Sequence, residues 1–297
     1  MTLLSMVRRN CKLFFKDKGI FFPALIAPLI LLFLFVAFLG NVYKESLASV
    51  LGGAEIPASL TNGFTAGWLV SSLLAVSAVT IAFTANTVMV QDKALGRTDD
   101  LFVSPVKKRT LALAYYLSTV LVTLVVCGVA LVAGLVYVAA CGWYLSAADV
   151  LLAVLDTVLL VFFGTALSSI VCRFLKSQGG ISAVVTIVSA AYGFLCGAYM
   201  PLSSMAKGLS SALMFLPGTY GTALLHEHLM GGAIDRIGAL TSPEFALRAR
   251  EGFDCSLSFF GSSVPEWACY LVLCAAIALF VLVYVLLCAL PFRRRTK

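Results

Sequence analysis

The two histidines of the chain flank a glutamate in the stretch His226-Glu227-His228-Leu229. Imidazole and carboxylate groups bind zinc and act as general bases in metallopeptidases, where the pattern H-E-x-x-H places both histidines on one face of a helix. Here the histidines are two residues apart, so on a helix they point to different faces. The spacing therefore predicts no metal site, and we expect both histidines to be surface or interfacial residues.

Other catalytic motifs do not occur in the sequence. The phosphate-binding loop G-x-x-x-x-G-K-[ST] is missing, and so is the G-x-S-x-G elbow that carries a nucleophilic serine. No other convincing set of nucleophile and base is present. We therefore expect a protein that is not an enzyme, has no ATPase site and binds no cofactor or metal of its own.

Asp156 is the one acidic residue that lies well inside an apolar stretch long enough to cross a membrane. Ionisable groups at such positions are functional suspects, because a charge in hydrocarbon is costly. Two interpretations are open. Asp156 either faces water or a polar neighbour near the end of its helix, or it binds the coupling ion of a secondary carrier. The first is favoured, since a proton-coupled carrier usually has several such carboxylates.

The composition is that of a membrane protein. Of the 297 residues, 61% are hydrophobic and 12% are charged, whereas a soluble domain has about 25% charged residues. A membrane helix needs roughly 20 mainly apolar residues, and its backbone groups must bond within the helix. We therefore predict an all-α membrane protein, with 1–297 forming a single transmembrane domain of six transmembrane helices. The predicted spans are about 21–40, 65–90, 112–139, 150–172, 181–200 and 267–291.

The charged residues are distributed unevenly over the segments between these spans. Sixteen of the 21 Lys and Arg residues lie on the side of the membrane that holds both termini. Positively charged loops stay in the cytoplasm, so we expect a multi-pass protein of the plasma (inner) membrane with both termini cytoplasmic. The excess of positive charge is thus explained by topology and requires no nucleic-acid partner.

The amino-terminal segment 1–19 has an amphipathic pattern. Basic side chains take one helix face, and the other face carries an apolar stripe. The stripe consists of Leu4, Val7, Cys11 and Phe14 or Phe15. This pattern predicts an interfacial helix on the inner leaflet, where anionic lipid headgroups attract the basic face.

The segment 201–266 is too long for a simple connection and falls on the external side. Its apolar first part is interrupted by Pro217 and Gly218, so it cannot span the membrane as one helix. We predict a partly re-entrant external segment before the last helix, shielded by protein. A disulfide between Cys141 and Cys255, which both fall on the external side, stays open at this point.

The densest polar stretch is segment 91–110, between the second and third spans. It contains eight charged residues, five basic and three acidic. A short charged helix of this kind can dock on a soluble protein through apolar side chains such as Leu101 and Phe102, with charges that set the register. Pro105 ends the helix, and Gly96 permits close approach of another backbone. The alternative is a solvated turn whose charges only fix topology.

This stretch resembles the signature of the ABC-2 type transporter permeases. That signature has an acidic–basic start, a glycine, an acidic residue, a leucine, Ser/Thr-Pro and a basic patch leading into the third span. Here the corresponding residues are Asp92-Lys93, Gly96, Asp99 or Asp100, Leu101, Ser104-Pro105-Val106 and Lys107 to Arg109, with Asp92 where Glu is commoner. A second similarity is the pair GAYMPLSSM and LPGTYGTALL, which resembles the family's exit from the fifth span and its Leu-Pro-x-Thr-Tyr stretch before the last span.

The resemblance implies the permease subunit of an ATP-driven exporter. Two copies of the chain, or this chain and a paralogue, would form the translocation pathway within membrane lipid. Two copies of a separate ABC ATPase subunit would bind ATP and Mg²⁺ and dock on the cytoplasmic segments. The residues implied in ATPase coupling are Asp92, Lys93, Gly96, Asp99, Asp100, Leu101, Phe102, Ser104 and Pro105.

By the same resemblance, the second and fifth spans line a central cavity for a drug-like, lipidic or peptide amphiphile. The implied lining residues are Thr80, Phe83, Asn86, Ser189, Tyr192 and Phe194. Two other functions stay open. A secondary carrier would be driven by an ion gradient and would depend on Asp156. A non-transport membrane protein, such as an immunity or assembly factor, would show no cargo flux and no dependence on segment 91–110.

Overall fold

The computed structural model describes residues 3–35, 40, 42, 45, 47, 56–98, 108–259 and 262–289. Nearly all of this part of the chain is helical. The helices are α1 (Leu3–Lys16), α2 (Lys18–Leu34), α3 (Ala58–Ala85), α4 (Thr87–Ala94), α5 (Lys108–Cys141), α6 (Ala147–Phe174), α7 (Gln178–Leu195), α8 (Lys207–Leu213), α9 (Pro217–Leu240), α10 (Pro243–Gly252) and α11 (Glu266–Ala289). A 3-10 turn (Leu202–Ser204) and an antiparallel pair of two-residue strands, β1 (Ser258–Phe259) and β2 (Ser262–Ser263), complete the described elements.

Helix α3 is the central helix of the bundle. It packs against α2, α5, α6, α7 and α9, and nearly all of its circumference is buried. Several of its Ser and Thr hydroxyls, those of Thr65, Ser71, Thr80 and Thr84, donate to carbonyl oxygens three or four residues earlier, as Thr80 does to Val76 (3.0 Å) and Thr84 to Thr80 (2.9 Å). These internal bonds satisfy the four hydroxyls, so those side chains lie in the apolar interior without needing water.

Five helical stretches of the described chain are long and apolar enough to cross a membrane. They are Ala58–Ala94, Arg109–Cys141, Ala147–Phe174, Gln178–Leu195 and Glu266–Cys288. The predicted all-α membrane architecture is confirmed. The predicted first span, 21–40, begins within α2 and includes residues outside the described part of the chain, so the sixth crossing stays a prediction.

The predicted fifth span extends to about residue 200, a few residues beyond the end of its helix in the structure. Helix α7 ends at Leu195, followed by Cys196 as its cap and by Gly197 at φ +80°. A residue with positive φ terminates an α-helix, and glycine adopts that conformation without steric strain. Helix α6 begins at Ala147, directly after Ser146, because Ser146 and Asp149 form a reciprocal capping box.

The predicted interruption at Pro217 coincides with a helix start. Helix α8 ends at Leu213, and α9 begins with Pro217 at its first position, where proline loses no backbone hydrogen bond. The Thr219 hydroxyl donates to the Leu213 carbonyl oxygen (3.0 Å) and fixes the turn between the two helices. Helix α9 then runs to Leu240 and packs against α3, α6, α10 and α11, so protein surrounds it on several sides.

The amphipathic helix α1 packs on α5. Val7 and Phe14 of the predicted apolar stripe are buried, together with Met6 and Asn10, while Leu4 at the start of the stripe is exposed. The stripe is therefore covered largely by the protein, and only its edge remains accessible to lipid. We propose that the basic face remains the part of α1 that attracts anionic lipid.

Asp254 connects the end of α10 to the segment that follows α7. Its carboxylate accepts from the backbone N–H groups of Leu202 and Ser203, and the Ser203 hydroxyl donates to the Gly252 carbonyl oxygen (2.7 Å). The residue has φ 54°, a left-handed conformation that Asp and Asn tolerate better than most residues. Burial raises the pKa of the Asp254 carboxyl to about 6, against the lowering effect of these donors.

This raised pKa predicts that the fold is more stable in mild acid than at neutral pH, as far as Asp254 is concerned. Its contribution is fully present below the unfolded-state pKa of about 3.9 and is lost as the pH rises through about 6. In detergent, the Tm of the wild-type chain minus that of Asp254→Asn should therefore decrease between about pH 4 and pH 7. Asn keeps both the backbone conformation and an acceptor oxygen, and a pH-independent difference would contradict the prediction.

Candidate functional site

Asp92, the first charged residue of segment 91–110, is buried and binds three side chains. Arg9 of α1 approaches it with both guanidinium nitrogens, at 2.8 Å to Oδ2 and 3.0 Å to Oδ1. The Tyr115 hydroxyl of α5 donates to Oδ2 at 2.7 Å, and Arg97 lies 3.5 Å from Oδ1. The side chain of Asp92 is only 1% exposed. Bidentate charge-assisted bonds of this kind fix geometry strongly. Asp92 thus joins α1, α4 and α5.

The helical register of α1 and α5 places these partners side by side. On α1, Arg9 is followed by the buried Asn10, whose amide donates to the Ser118 hydroxyl (3.3 Å). On α5, Tyr115 and Ser118 are three residues apart and therefore share a helix face. The hydrogen bond to Asp92 raises the pKa of Arg9 above its already high value, so the guanidinium keeps its charge.

Lys93, the next residue, binds a different helix. Its ammonium group donates to the carbonyl oxygens of Cys172 (3.0 Å) and Arg173 (3.2 Å) in the last turn of α6. Carbonyls at a helix carboxyl end lack partners within the helix and carry partial negative charge, so a cation there is favourable. Two adjacent residues of α4 therefore connect the start of segment 91–110 to α1, α5 and α6. We call this set, Arg9, Asp92, Lys93 and Tyr115, the basal junction.

Gly96 turns the chain directly after α4. It has φ +71°, and a Cβ built on it would meet no atom within 4 Å. Its conformation alone therefore favours glycine, and the close approach of a partner's backbone stays a prediction. Leu95 beside it is 63% exposed. The remaining coupling residues implied by the sequence lie outside the described residues: Asp99, Asp100, Leu101, Phe102, Ser104 and Pro105.

An open groove of about 530 Å³ lies beside the basal junction. The end of α1 and the start of α2 line it with Leu13 and Ile20. Helix α4 and the turn after it also line the groove, with Leu95 and Arg97, and so does Gln178 at the start of α7. The groove combines apolar and charged side chains at the start of segment 91–110.

The six implied cavity residues separate into two groups. Thr80, Phe83 and Asn86 are buried between helices of the bundle, not on an open face of the chain. The Asn86 amide donates to Ser168 of α6 (2.7 Å), and its oxygen accepts from Thr119 of α5 (3.3 Å). On α7, Tyr192 is buried, Ser189 is half-buried and Phe194 is exposed. The α7 residues therefore reach the surface more readily than those of α3.

Arg9 and Tyr115 were missed by sequence reasoning. Arg9 was counted with the positive charges that fix topology, and Tyr115 lies in an uninterrupted apolar stretch. A usable signal existed, because a carboxylate such as Asp92 at the end of an apolar helix requires a nearby cation or donor when it is buried. Which of the basic residues supplies that cation depends on the docking of α1, which has no local sequence signature.

The expectation that both histidines lie at the surface or an interface is wrong. His226 and His228 are buried, because α9 is packed between α3, α6 and α11. As the spacing predicted, they face different helices. The His226 ring stacks on Trp68 of α3 with 4.2 Å between ring centroids, whereas His228 faces Asp156 of α6 at 2.6 Å. Asp156 also has polar neighbours, in keeping with the first of its two interpretations.

All nine cysteines, which lie within the described part of the chain, are free thiols. Cys141 and Cys255 therefore form no disulfide in this structure. Cys255 packs instead with the apolar cluster around Phe253 and Trp68. Near Cys255, the segments are connected instead by packing and by the contacts of Asp254.

Comparison with protein families places these features in context. A family model for the ABC-2 type transporter matches residues 1–229, which include the basal junction and all but the last part of the helical bundle. None of the curated proteins gives a match to the chain. The match covers well over half of the 297 residues. The chain therefore belongs to the ABC-2 type transporter family, whose membrane domain is the permease part of an ABC transporter.

Proposed function

We propose that this protein is the permease subunit of an ATP-driven exporter. Two copies, or this chain and a paralogue, form the pathway across the plasma membrane, with both termini in the cytoplasm. Two separate ABC ATPase subunits bind ATP and Mg²⁺ and dock on segment 91–110. The observation that carries the proposal is the basal junction, which connects the start of that segment to three helices. The chain that contains it belongs to the ABC-2 family.

The basal junction supplies a path for force. Movement of the docked segment pulls on Asp92 and Lys93, because the chain between them and the ATPase contact is short. Asp92 transmits the movement to α1 and α5 through Arg9 and Tyr115, and Lys93 transmits it to α6. Interactions of this kind are directional and tend to keep their geometry. Helices α3, α5 and α6 are packed together, so they move as a group.

The groove beside the basal junction is the second support. It opens next to Leu95 and Arg97, at the point where segment 91–110 leaves α4. Apolar side chains with charges at the rim suit a helix of a soluble partner, since charges at an interface set register and specificity. ATP hydrolysis can move the permease only if the ATPase interacts differently with its inward-open and outward-open states.

The cargo is a drug-like, lipidic or peptide amphiphile in this proposal. The exposed apolar face of α7, with Phe194, offers a surface on which an apolar part of the cargo can slide. Of the six cavity residues named from the sequence, Ser189 and Phe194 are the ones we propose as direct contacts. Thr80, Phe83 and Asn86 then act by holding α3 against α5 and α6.

Charge reversal at the docking segment tests the proposal. The double variant Asp99→Lys/Asp100→Lys should insert normally but lose ATP-driven transport by about an order of magnitude or more, because like-charge contacts at an interface cost several kcal/mol. The measurement is cargo uptake into inverted membrane vesicles that contain the ATPase, together with co-purification of the ATPase. Unchanged ATPase association would contradict the docking role.

The matched control reverses two acidic residues elsewhere. Glu244 and Glu251 are exposed on α10, far along the chain from segment 91–110, so Glu244→Lys/Glu251→Lys should transport like the wild type. The purified chain alone, reconstituted into vesicles with an ion gradient, should move no cargo. Uphill transport by the chain alone would instead support the secondary carrier, and the buried Asp156 would then be its first suspect.

A further inference from the structure

A second buried polar cluster lies at the end of the bundle opposite the basal junction. Asp156 of α6, His228 of α9 and Glu266 of α11 meet there. The His228 Nδ1 atom is 2.6 Å from Asp156 Oδ2, and its Nε2 atom is 3.2 Å from Glu266 Oε1. The Tyr270 hydroxyl donates to the other Asp156 oxygen at 2.8 Å. Three helices are thus connected through one imidazole ring.

The number of protons in this cluster follows from the geometry. A neutral imidazole has one N–H donor and one nitrogen lone pair. Here both ring nitrogens face carboxylate oxygens at hydrogen-bond distance, and two carboxylates can only accept when they are ionised. Opposite two ionised carboxylates, a neutral ring would therefore point a lone pair at an oxygen lone pair. A neutral ring fits this geometry only if a carboxyl group, such as that of Asp156, holds the proton and donates it to the ring. An imidazolium ring donates to both carboxylates and satisfies every contact.

We propose that Asp156, His228 and Glu266 form a proton-binding site, in which an imidazolium at His228 holds α9 against α6 and α11. Glu266 is 53% exposed on its side chain, whereas Asp156 is fully buried. A proton can therefore enter and leave through Glu266 without opening the bundle. The site responds to pH on the external side if the membrane orientation proposed above holds; the existence of the site does not depend on that orientation.

The surroundings of His228 contain few competing charges. On α9 itself, Glu227 and Asp235 are bound by Arg250 of α10. On α11, Cys269 and Tyr270 lie near the carboxylates as neutral groups. From α3, Ser72 faces the other histidine, His226, at 3.5 Å. Two carboxylates and one ring therefore decide the charge of the site.

Loss of the proton has a structural consequence. Neutral His228 can donate to one carboxylate only, so α9 loses its hydrogen bond to either α6 or α11. The two negative charges of the carboxylates then remain close together. The stabilisation is fully present below the unfolded-state pKa of histidine, about 6.5, and disappears as the pH rises through the point where the folded ring releases its proton. The site thus makes the attachment of α9 dependent on pH.

Nitrogen NMR tests the proposal directly, because the chain has only two histidines. The full-length chain is labelled with ¹⁵N in the imidazole rings and measured in lipid nanodiscs near neutral pH, with His226→Gln to assign the signals. We expect two similar ring-nitrogen shifts for His228, the pattern of an imidazolium, and two widely separated shifts for His226. Widely separated shifts for His228 near neutral pH would overturn the proposal.

Thermal unfolding gives a second, independent measurement. Between near-neutral pH and mildly alkaline pH, the Tm of the wild type and of His226→Gln should fall by about 2–4 °C more than that of His228→Gln. Equal pH dependence in all three chains would overturn the proposal. Both experiments use neither the ATPase nor transport, so their failure would leave the permease function intact, and a failed transport experiment would leave this site intact.

Discussion

Replacing Asp92 by Asn is expected to disconnect ATP hydrolysis from transport. The Asn side chain places an amide donor opposite the Arg9 guanidinium, and Arg9 keeps a charge with no carboxylate beside it. Removing one partner of a buried ion pair costs 3–5 kcal/mol, and we expect about 3 kcal/mol because the Arg9 side chain is 29% exposed. Asp92→Asn should therefore lower the Tm and also loosen α4 from α1 and α5.

The functional measurement compares ATP hydrolysis with cargo flux in vesicles that contain the permease and its ATPase. We expect Asp92→Asn to retain most of the hydrolysis and to lose most of the flux. The control is Arg8→Gln, since Arg8 is exposed on α1 beside Arg9 and should leave the ratio of flux to hydrolysis unchanged.

A double-mutant cycle with Arg9→Gln then separates the Asp92–Arg9 pair from general destabilisation. Removing both charges should restore part of the stability lost by Asp92→Asn, because no unpaired charge remains. Strictly additive losses of stability, or flux that falls only in proportion to the amount of folded protein, would count against the basal junction as the path of force.

Several parts of the fold could be predicted from the sequence because they depend on local composition. The bilayer requires long apolar helices, so the stretches that became α5, α6 and α11 were located to within a few residues. The start of α3 was placed too late, at residue 65 instead of Ala58. Its first turns carry Ser, Thr and Asn, whose polarity conceals a helix that is stabilised by packing.

The candidate site was predictable only in its position along the chain. Segment 91–110 was identified by its charges, but Asp92 was interpreted as a surface charge for docking. Asp92 is buried instead, because Arg9, 83 residues earlier, lies beside it. Asp156 and His228 are likewise 72 residues apart. Such pairs depend on how whole helices dock, and charge or spacing in one sequence does not encode that docking locally.

Close contacts between helices depend on glycine, and the composition of the sequence did not predict where they occur. Helix α3 approaches α9 at Gly67, and α6 approaches α3 at Gly164, where an added Cβ would lie 2.7 Å from the Ala78 carbonyl oxygen. Small residues let membrane helices pack backbone to backbone. In a sequence with 23 glycines, nothing distinguishes these two from glycines in open space.

Gly67→Ala is accordingly expected to be among the most damaging single-methyl changes in the chain. The new Cβ would fall well inside van der Waals contact with the Leu229 carbonyl oxygen and would lie 3.0 Å from Met230 Cγ. Backbone atoms cannot move aside as a side-chain end can, so α9 must shift from α3, at a cost of about 3 kcal/mol. Because α9 carries His226 and His228, the same shift separates His226 from Trp68 and weakens the contact with Asp156. In detergent, we expect a lower Tm and faster proteolysis between α9 and α10.

The matched control is Gly128→Ala on α5, where no atom lies within 4 Å of the new Cβ. That variant should be neutral or gain up to about 1 kcal/mol from helix propensity. Equal stability of the two variants would mean that the contact of α3 with α9 tolerates a methyl group and is looser than the backbone distances require.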